Sequence, residues 1–248
     1  MNHFFVTPDA VGEELIRITG SDVNHIRNVL RMRTGEQITV SCGEEAVKYR
    51  CELESLSEDT ITVRILWVQE EGVELSSRIC LFQGLPKADK MEWIIQKNVE
   101  LGVSAFVPMQ TRRAVVKLDA RKEDSKLKRW RAISESAAKQ SGRGCIPEVH
   151  SVMTFAQAVK MAAEQFDHCM IPYELAKDMQ ATRKILDDIR PGESVAVFIG
   201  PEGGFAPEEV ALAKEAGIIP VTLGRRILRT ETAGMALAAA LMFRLEGM

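Results

Sequence analysis

Two loops near the C-terminus carry residues whose types and spacing could do chemistry. The first follows the apolar run Ser194-Val195-Ala196-Val197-Phe198-Ile199 and reads Gly200-Pro201-Glu202-Gly203-Gly204-Phe205, with a helix expected from Pro207. Three glycines and a proline in five residues let a ligand come close to the backbone. The loop matches neither the dinucleotide fingerprint nor the P-loop. Glu208 and Glu209 fall in the first turn of the following helix, where negative charge stabilises the helix but opposes a bound phosphate. That spacing suits a ligand that is neutral or cationic here, such as a sulfonium nucleoside; a plain structural turn is the alternative. The second loop follows Pro220-Val221-Thr222-Leu223-Gly224 and reads Arg225-Arg226-Ile227-Leu228-Arg229, with Thr230 expected as the cap and Glu231 in the first turn of a final Ala-rich helix. Arginine stays charged and grips planar oxygens as a fork, so three of them beside a glycine loop could act on an anionic or oxygen-rich substrate. Surface arginines on a connecting loop are the competing explanation.

These loops need a scaffold. Apolar strands alternate with longer helical segments from about residue 73 onward, which implies a parallel sheet with ligands collecting at the carboxyl ends of its strands. The expected strands are Ile79–Phe82, Val103–Val107, His168–Ile171 and Ser194–Ile199; the expected helices include Lys90–Leu101, Glu123–Gln140, Phe155–Phe166 and Met179–Ile189. The first seventy residues differ. Short alternating stretches (Phe4–Val6, Leu15–Ile18, Gln37–Val40, Ala46–Leu53, Thr60–Leu66) and one helical turn opening at Ser21 suggest a small barrel. The change falls around Glu70-Glu71-Gly72, giving domains at 1–72 and 73–248.

Net charge is −3, yet residues 112–143 hold eleven Lys/Arg against four Asp/Glu, a local +7 that leaves −10 for the rest. Such a segment is either an anion-binding surface or a solvated helix face. The five cysteines are odd in number and have no CxxC spacing, and the four histidines are scattered, so disulfides, zinc and other metals are not expected. No apolar run approaches the ~20 residues that span a bilayer, and Met1–Phe5 does not start a secretory signal; a cytoplasmic protein is expected.

The two loops together, Ile199 to Phe205 and Leu223 to Ala233, resemble the cofactor-binding segments of SPOUT methyltransferases. More narrowly they resemble the RsmE family, which methylates N3 of a uridine in small-subunit (16S) ribosomal RNA. His25-Ile26-Arg27-Asn28-Val29-Leu30-Arg31 is similar to that family's PUA-like barrel. Lys87 to Glu92 and Lys97 to Val103 are similar to its first catalytic unit. The resemblance implies an α/β SPOUT domain with a C-terminal trefoil knot after the barrel, and a homodimer with the active site near its interface. It implies S-adenosylmethionine held by Pro172, Glu174, Ile199, Gly200, Pro201, Gly203, Gly204, Leu223, Gly224, Ile227, Leu228, Thr232 and Ala233. Arg229, with Arg225 second, would stabilise the uracil anion, and Glu202 would position groups or act as a base. RNA contacts are expected from Arg27, Arg31, Arg33, Lys87, Arg112, Arg113, Arg143 and Arg225, with 16S RNA or the small subunit as partner. Methylation of another base or of a ribose 2′-hydroxyl, or a non-catalytic RNA-binding factor, remain the alternatives.

Overall fold

The computed structural model describes residues 2–43, 46–69 and 72–246; Glu70 and Glu71, where the sequence pattern changes, lie outside them. The chain divides into two compact units, Met1–Glu74 with Ala138–Ile146, and Leu75–Ala137 with Pro147–Met248.

In the first unit, β1 (His3–Phe5), β2 (Leu15–Thr19), β3 (Gln37–Ser41), β4 (Lys48–Leu56) and β5 (Thr60–Gln69) form one sheet in the order β1-β3-β4-β5-β2. Only β1 pairs in parallel. Alternation decides which face is covered: Ile16 and Ile18 of β2 are buried while Leu15, Arg17 and Thr19 are exposed. Their partners are Phe4, Ile38, Val40, Leu53, Ile61 and Val63. Register shifts at Arg50/Cys51 and Leu53/Ser55 bend β4 and β5 over this core. The helical turn α1 (Ser21–Asn24) begins after Gly20, which sits at φ +74, and continues as a wider turn over His25–Val29 closed by Leu30 N–H on the His25 carbonyl at 2.8 Å. Ser21 is therefore the first helical residue and caps nothing.

The second unit alternates as expected: β6 (Ile79–Gly84), α2 (Lys90–Glu100), β7 (Ala105–Gln110), α3 (Ala120–Ser141), β8 (Glu148–Val149), β9 (Met153–Thr154), α4 (Phe155–Gln165), β10 (His168–Pro172), α5 (Met179–Asp188), β11 (Val195–Ile199), α6 (Pro207–Glu215), β12 (Ile219–Val221) and α7 (Thr230–Leu245). The sheet runs β12-β10-β11-β6-β7-β8, with β9 also on β7, and every pairing is parallel. Helices on a parallel sheet bury it on both faces. All five residues of β11 and all six of β6 are buried, and Phe82 stacks on Phe198 with ring centroids 4.5 Å apart. The two-residue strands β8 and β9 left no periodic signal in the sequence. The C-terminal end of α3 belongs to the first unit, so this helix is shared by both. None of the five cysteines is joined in a disulfide, and no helix among the described residues is long and apolar enough to cross a membrane.

Candidate cofactor site

Strands β10, β11 and β12 end side by side, and the loops that follow them enclose a cavity of about 640 Å³. A volume of this size suits a small organic ligand. Pro172 and Glu174 line it from the first loop, Ile199, Gly200, Pro201, Gly203 and Gly204 from the second, and Leu223, Gly224, Ile227, Leu228 and Ala233 from the third. Glu202, Arg225 and Arg229 line it as well. Thr232 does not; it is exposed on the first turn of α7 with its N–H on the Arg229 carbonyl. Six further lining residues, Lys90, Tyr173, Phe205, Thr222, Arg226 and Thr230, were not assigned individually to the site from sequence, although Phe205, Arg226 and Thr230 lie within the two recognised loops. Lys90 lies in a recognised segment, but no local pattern there points at a site formed by residues from Pro172 onward.

The glycine loop is held by close approach and by buried hydrogen bonds. A Cβ at Gly84 would stand 2.6 Å from Pro201 Cδ and 2.8 Å from its nitrogen, so the end of β6 must be side-chain-free where the loop crosses it. A Cβ at Gly203 would meet Arg113 Cβ at 3.0 Å, and the Arg113 guanidinium donates to the Gly203 carbonyl at 3.0 Å. The left-handed backbone belongs to Gly204, at φ +65. Glu209 accepts from the N–H groups of Ala206 and Arg112, both at 2.8 Å, so α6 is capped from within and needs no polar side chain at Ala206. Thr230, expected as the cap of α7, is buried inside its first turn, with Arg229 in the capping position. Its hydroxyl donates to the Gly200 carbonyl at 2.6 Å and accepts from Gln83 Nε2 at 2.9 Å, tying α7 to the ends of β11 and β6.

The charges at the cavity fall into two groups. Lys90 Nζ lies 2.8 Å from Glu202 and 3.5 Å from Glu231, and Glu202 also accepts the Lys87 N–H at 3.2 Å. Partial burial pushes the Glu202 carboxyl up, but the Lys90 hydrogen bond, the backbone donors and the Lys90 charge outweigh it and hold the group below the usual carboxylate range. Lys90 is raised in turn, chiefly by its hydrogen bond to Glu202. In contrast, the side chains of Arg225, Arg226 and Arg229 are exposed and make no hydrogen bond or ion pair among the described residues.

The basic segment behaves otherwise. Arg112 pairs with Glu208, Lys122 with Asp119, Lys126 with Asp89, Lys128 with Asp124 and Arg129 with Glu92. Asp119 and Asp124 lie within the segment, while Asp89, Glu92 and Glu208 are brought in from other elements and offset part of the local +7. Arg143 is buried and donates twice to Glu74. Arg31 and Arg33 are exposed and Arg27 half-buried on the first unit; Lys87, Arg112 and Arg113 are exposed on the second. No group of residues able to hold a metal occurs among the described residues.

A family model described as an RNA methyltransferase domain matches residues 73–242, and one described as an RNA methyltransferase PUA domain matches residues 18–66. The ribosomal RNA small subunit methyltransferase E of Bacillus subtilis is 40% identical over 232 residues, covering 92% of this chain and 90% of that protein. The enzyme of the same name from Mycobacterium bovis is 33% identical over 87% of this chain and 81% of its own length. Among solved structures, ribosomal RNA small subunit methyltransferase E from Neisseria gonorrhoeae, bound to S-adenosyl methionine, superposes with a TM-score of 0.85 at 32% identity, covering 98% of this chain and 97% of that one. A methyltransferase from Legionella pneumophila, solved with S-adenosylmethionine bound, gives a TM-score of 0.85 at 32% identity over 97% of this chain and 96% of its own. With its PUA-like first unit and SPOUT-type α/β second unit, the chain belongs to the ribosomal RNA small subunit methyltransferase E family.

Proposed function

We propose that this protein transfers a methyl group from S-adenosylmethionine to N3 of a uridine in 16S ribosomal RNA. The observation that carries the reading is the juxtaposition at one cavity mouth of a glycine loop without phosphate-binding character and three arginines lacking any protein partner among the described residues. The residues fit the cofactor: residues 199–204 and 223–228 line the cavity, no side chain can be accommodated at Gly84 against Pro201, and the carboxylates of Glu174 and Glu202 on the lining suit a cationic sulfonium. When bound, that cofactor supplies an electrophilic methyl group.

The chain's own residues must prepare the nucleophile. Uracil N3 bears a proton and reacts poorly until that proton has passed to solvent water. Arg229, unpaired and next to α7, is placed to hold the ring oxygens as negative charge develops, and Arg225 is second. Glu202 fits a positioning role better than that of a base. It is engaged by Lys90 and the Lys87 N–H, and its lowered pKa weakens it as a proton acceptor. The trefoil knot belongs to the same reading, supported by the Thr230 bonds that anchor α7 beneath the glycine loop. A homodimer does too, supported by the exposed apolar side chains of Ile227 and Phe243, which are 92% and 84% exposed. A cytoplasmic location goes with the substrate. Single-turnover methylation of small-subunit RNA, followed by nucleoside mass analysis, tests the reading; a methylated ribose or a base other than uracil would replace it.

A further inference from the structure

The first unit carries a second cavity, of about 220 Å³, that methyl transfer leaves unused. Strand register builds it. His3 lies beside Thr39, Thr39 beside Arg50, and Arg50 beside Trp67, so one row of side chains crosses β1, β3, β4 and β5. Two residues further along, Ser41, Lys48 and Gln69 form the adjoining row. Residues two apart share a face, and this face is opposite the one where Phe4, Val40 and Tyr49 meet the apolar core. Lys139, from the last turn of α3, completes the rim.

The chemistry of this face is specific. Lys48 is only 9% exposed, yet its ammonium makes no hydrogen bond or ion pair among the described residues. The charge of Glu74 reaches it, but Glu74 is already held by Arg143 and by the Gly144 N–H. A buried cation without a counter-ion is costly. Among the described residues the Arg50 guanidinium donates only to the neutral Gln37 side chain, at 3.1 and 3.2 Å, and Lys139 lies 3.1 Å from Asp22. His3, also buried, binds Ser41 Oγ through Nε2 at 3.0 Å, while its Nδ1 is buried without a partner. None of the described residues lining the cavity is acidic. Trp67 offers an indole that is 54% exposed.

We propose that this cavity is a subsite for one nucleotide of single-stranded RNA, its phosphate held by Lys48, Arg50 and Lys139 and its base stacked on Trp67. Cations that track the backbone beside an aromatic platform are what single-stranded nucleic acid requires. A free phosphate would satisfy the cations but would leave the indole unused, which favours a polynucleotide. The inference rests on the reading of the chain as an RNA-acting protein but not on which base is methylated.

The test uses the full-length protein, with decauridylate as probe and uridine monophosphate and inorganic phosphate as the competing anions. Decauridylate should quench tryptophan fluorescence, and the quench should vanish in Trp67→Phe, although Trp93 and Trp130 remain. Trp67→Ala should weaken binding about tenfold or more. Arg50→Gln and Lys48→Gln should each weaken it and lower the salt slope by about 0.7, the value of one single-strand phosphate contact. Lys48 is buried and its variant could misfold; Arg50→Gln and Trp67→Ala lie at the surface, and unchanged thermal melting and S-adenosylmethionine affinity in these two certify the fold. Unaltered affinity and salt slope in both surface variants would overturn the subsite, as would monophosphate or phosphate binding as tightly as decauridylate. Were the subsite lost in this way while small-subunit RNA is still methylated, the methyl-transfer reading would stand alone.

Discussion

Replacing Thr230 by valine tests how the cofactor loop is held. Valine has nearly the same shape, so no cavity opens; what disappears is a hydroxyl with two buried hydrogen bonds, 2.6 Å to the Gly200 carbonyl and 2.9 Å from Gln83 Nε2. Thr230 is 6% exposed and Gln83 fully buried, so water cannot take over both bonds. Leaving a buried polar group unpaired costs about 1–3 kcal/mol. Gln83 Nε2 keeps its bond to the Gly84 carbonyl at 2.9 Å, which puts its share at the low end. The sum is about 2–4 kcal/mol. At ~2–4 °C per kcal/mol for a unit of this size, Tm should fall by roughly 5–15 °C. S-adenosylmethionine affinity should fall with it, because the Gly200 carbonyl begins the loop that lines the cavity. Thr230→Ser, which keeps the hydroxyl, should lose far less. Differential scanning calorimetry and isothermal titration on the three proteins measure both effects. A Tm within about 2 °C of wild type in Thr230→Val, with cofactor affinity unchanged, would refute the tether.

Other perturbations separate the roles assigned above. Arg229→Ala should leave S-adenosylmethionine affinity nearly intact while single-turnover methylation drops by ~100-fold or more, and lysine should restore only part of it; a joint loss of cofactor binding and stability in calorimetry would instead mark a structural arginine. Gly84→Ala should reduce both stability and cofactor affinity, since its Cβ would stand 2.6 Å from Pro201 Cδ; a variant that binds S-adenosylmethionine like wild type would show that the loop yields freely. His3 is held down to about 4, first by burial and then by the Lys48 and Lys139 charges. Because its folded pKa lies below the unfolded value, its contribution is complete above about pH 6.5 and is lost as pH falls toward 4, a change of up to about 3 kcal/mol that His3→Gln should abolish in chemical denaturation. An NMR titration placing His3 near 6.5 would contradict this.

The parts of the fold legible in sequence were those set by local pattern. Alternating apolar residues at Ile16/Ile18 and Ile38/Val40, and continuous apolar runs at β6 and β11, give their strands directly. The two cofactor loops are legible because glycine, proline and arginine at fixed spacing have few structural uses. What stayed hidden depends on residues distant in sequence. The positive segment at 112–143 read equally as an anion-binding surface or a solvated helix face; Asp89, Glu92 and Glu208, brought in from other elements, take up part of its charge. The arginines at 225, 226 and 229, unpaired among the described residues, were indistinguishable from these until their surroundings were known. Thr230 has the type and position of a cap, yet Gly200 and Gln83 claim its hydroxyl and the capping position passes to Arg229. Arg143 is drawn inward by Glu74, sixty-nine residues earlier, and no periodicity announces such a pair.

Nucleoside mass spectrometry of ribosomal RNA from cells with and without this protein tests the central claim most directly. One N3-methyluridine should be present in small-subunit RNA when the protein is present, absent when it is deleted, and restored by the wild-type gene but not by Arg229→Ala. Unchanged N3-methyluridine on deletion, or the loss of a different modified nucleoside, would contradict the account.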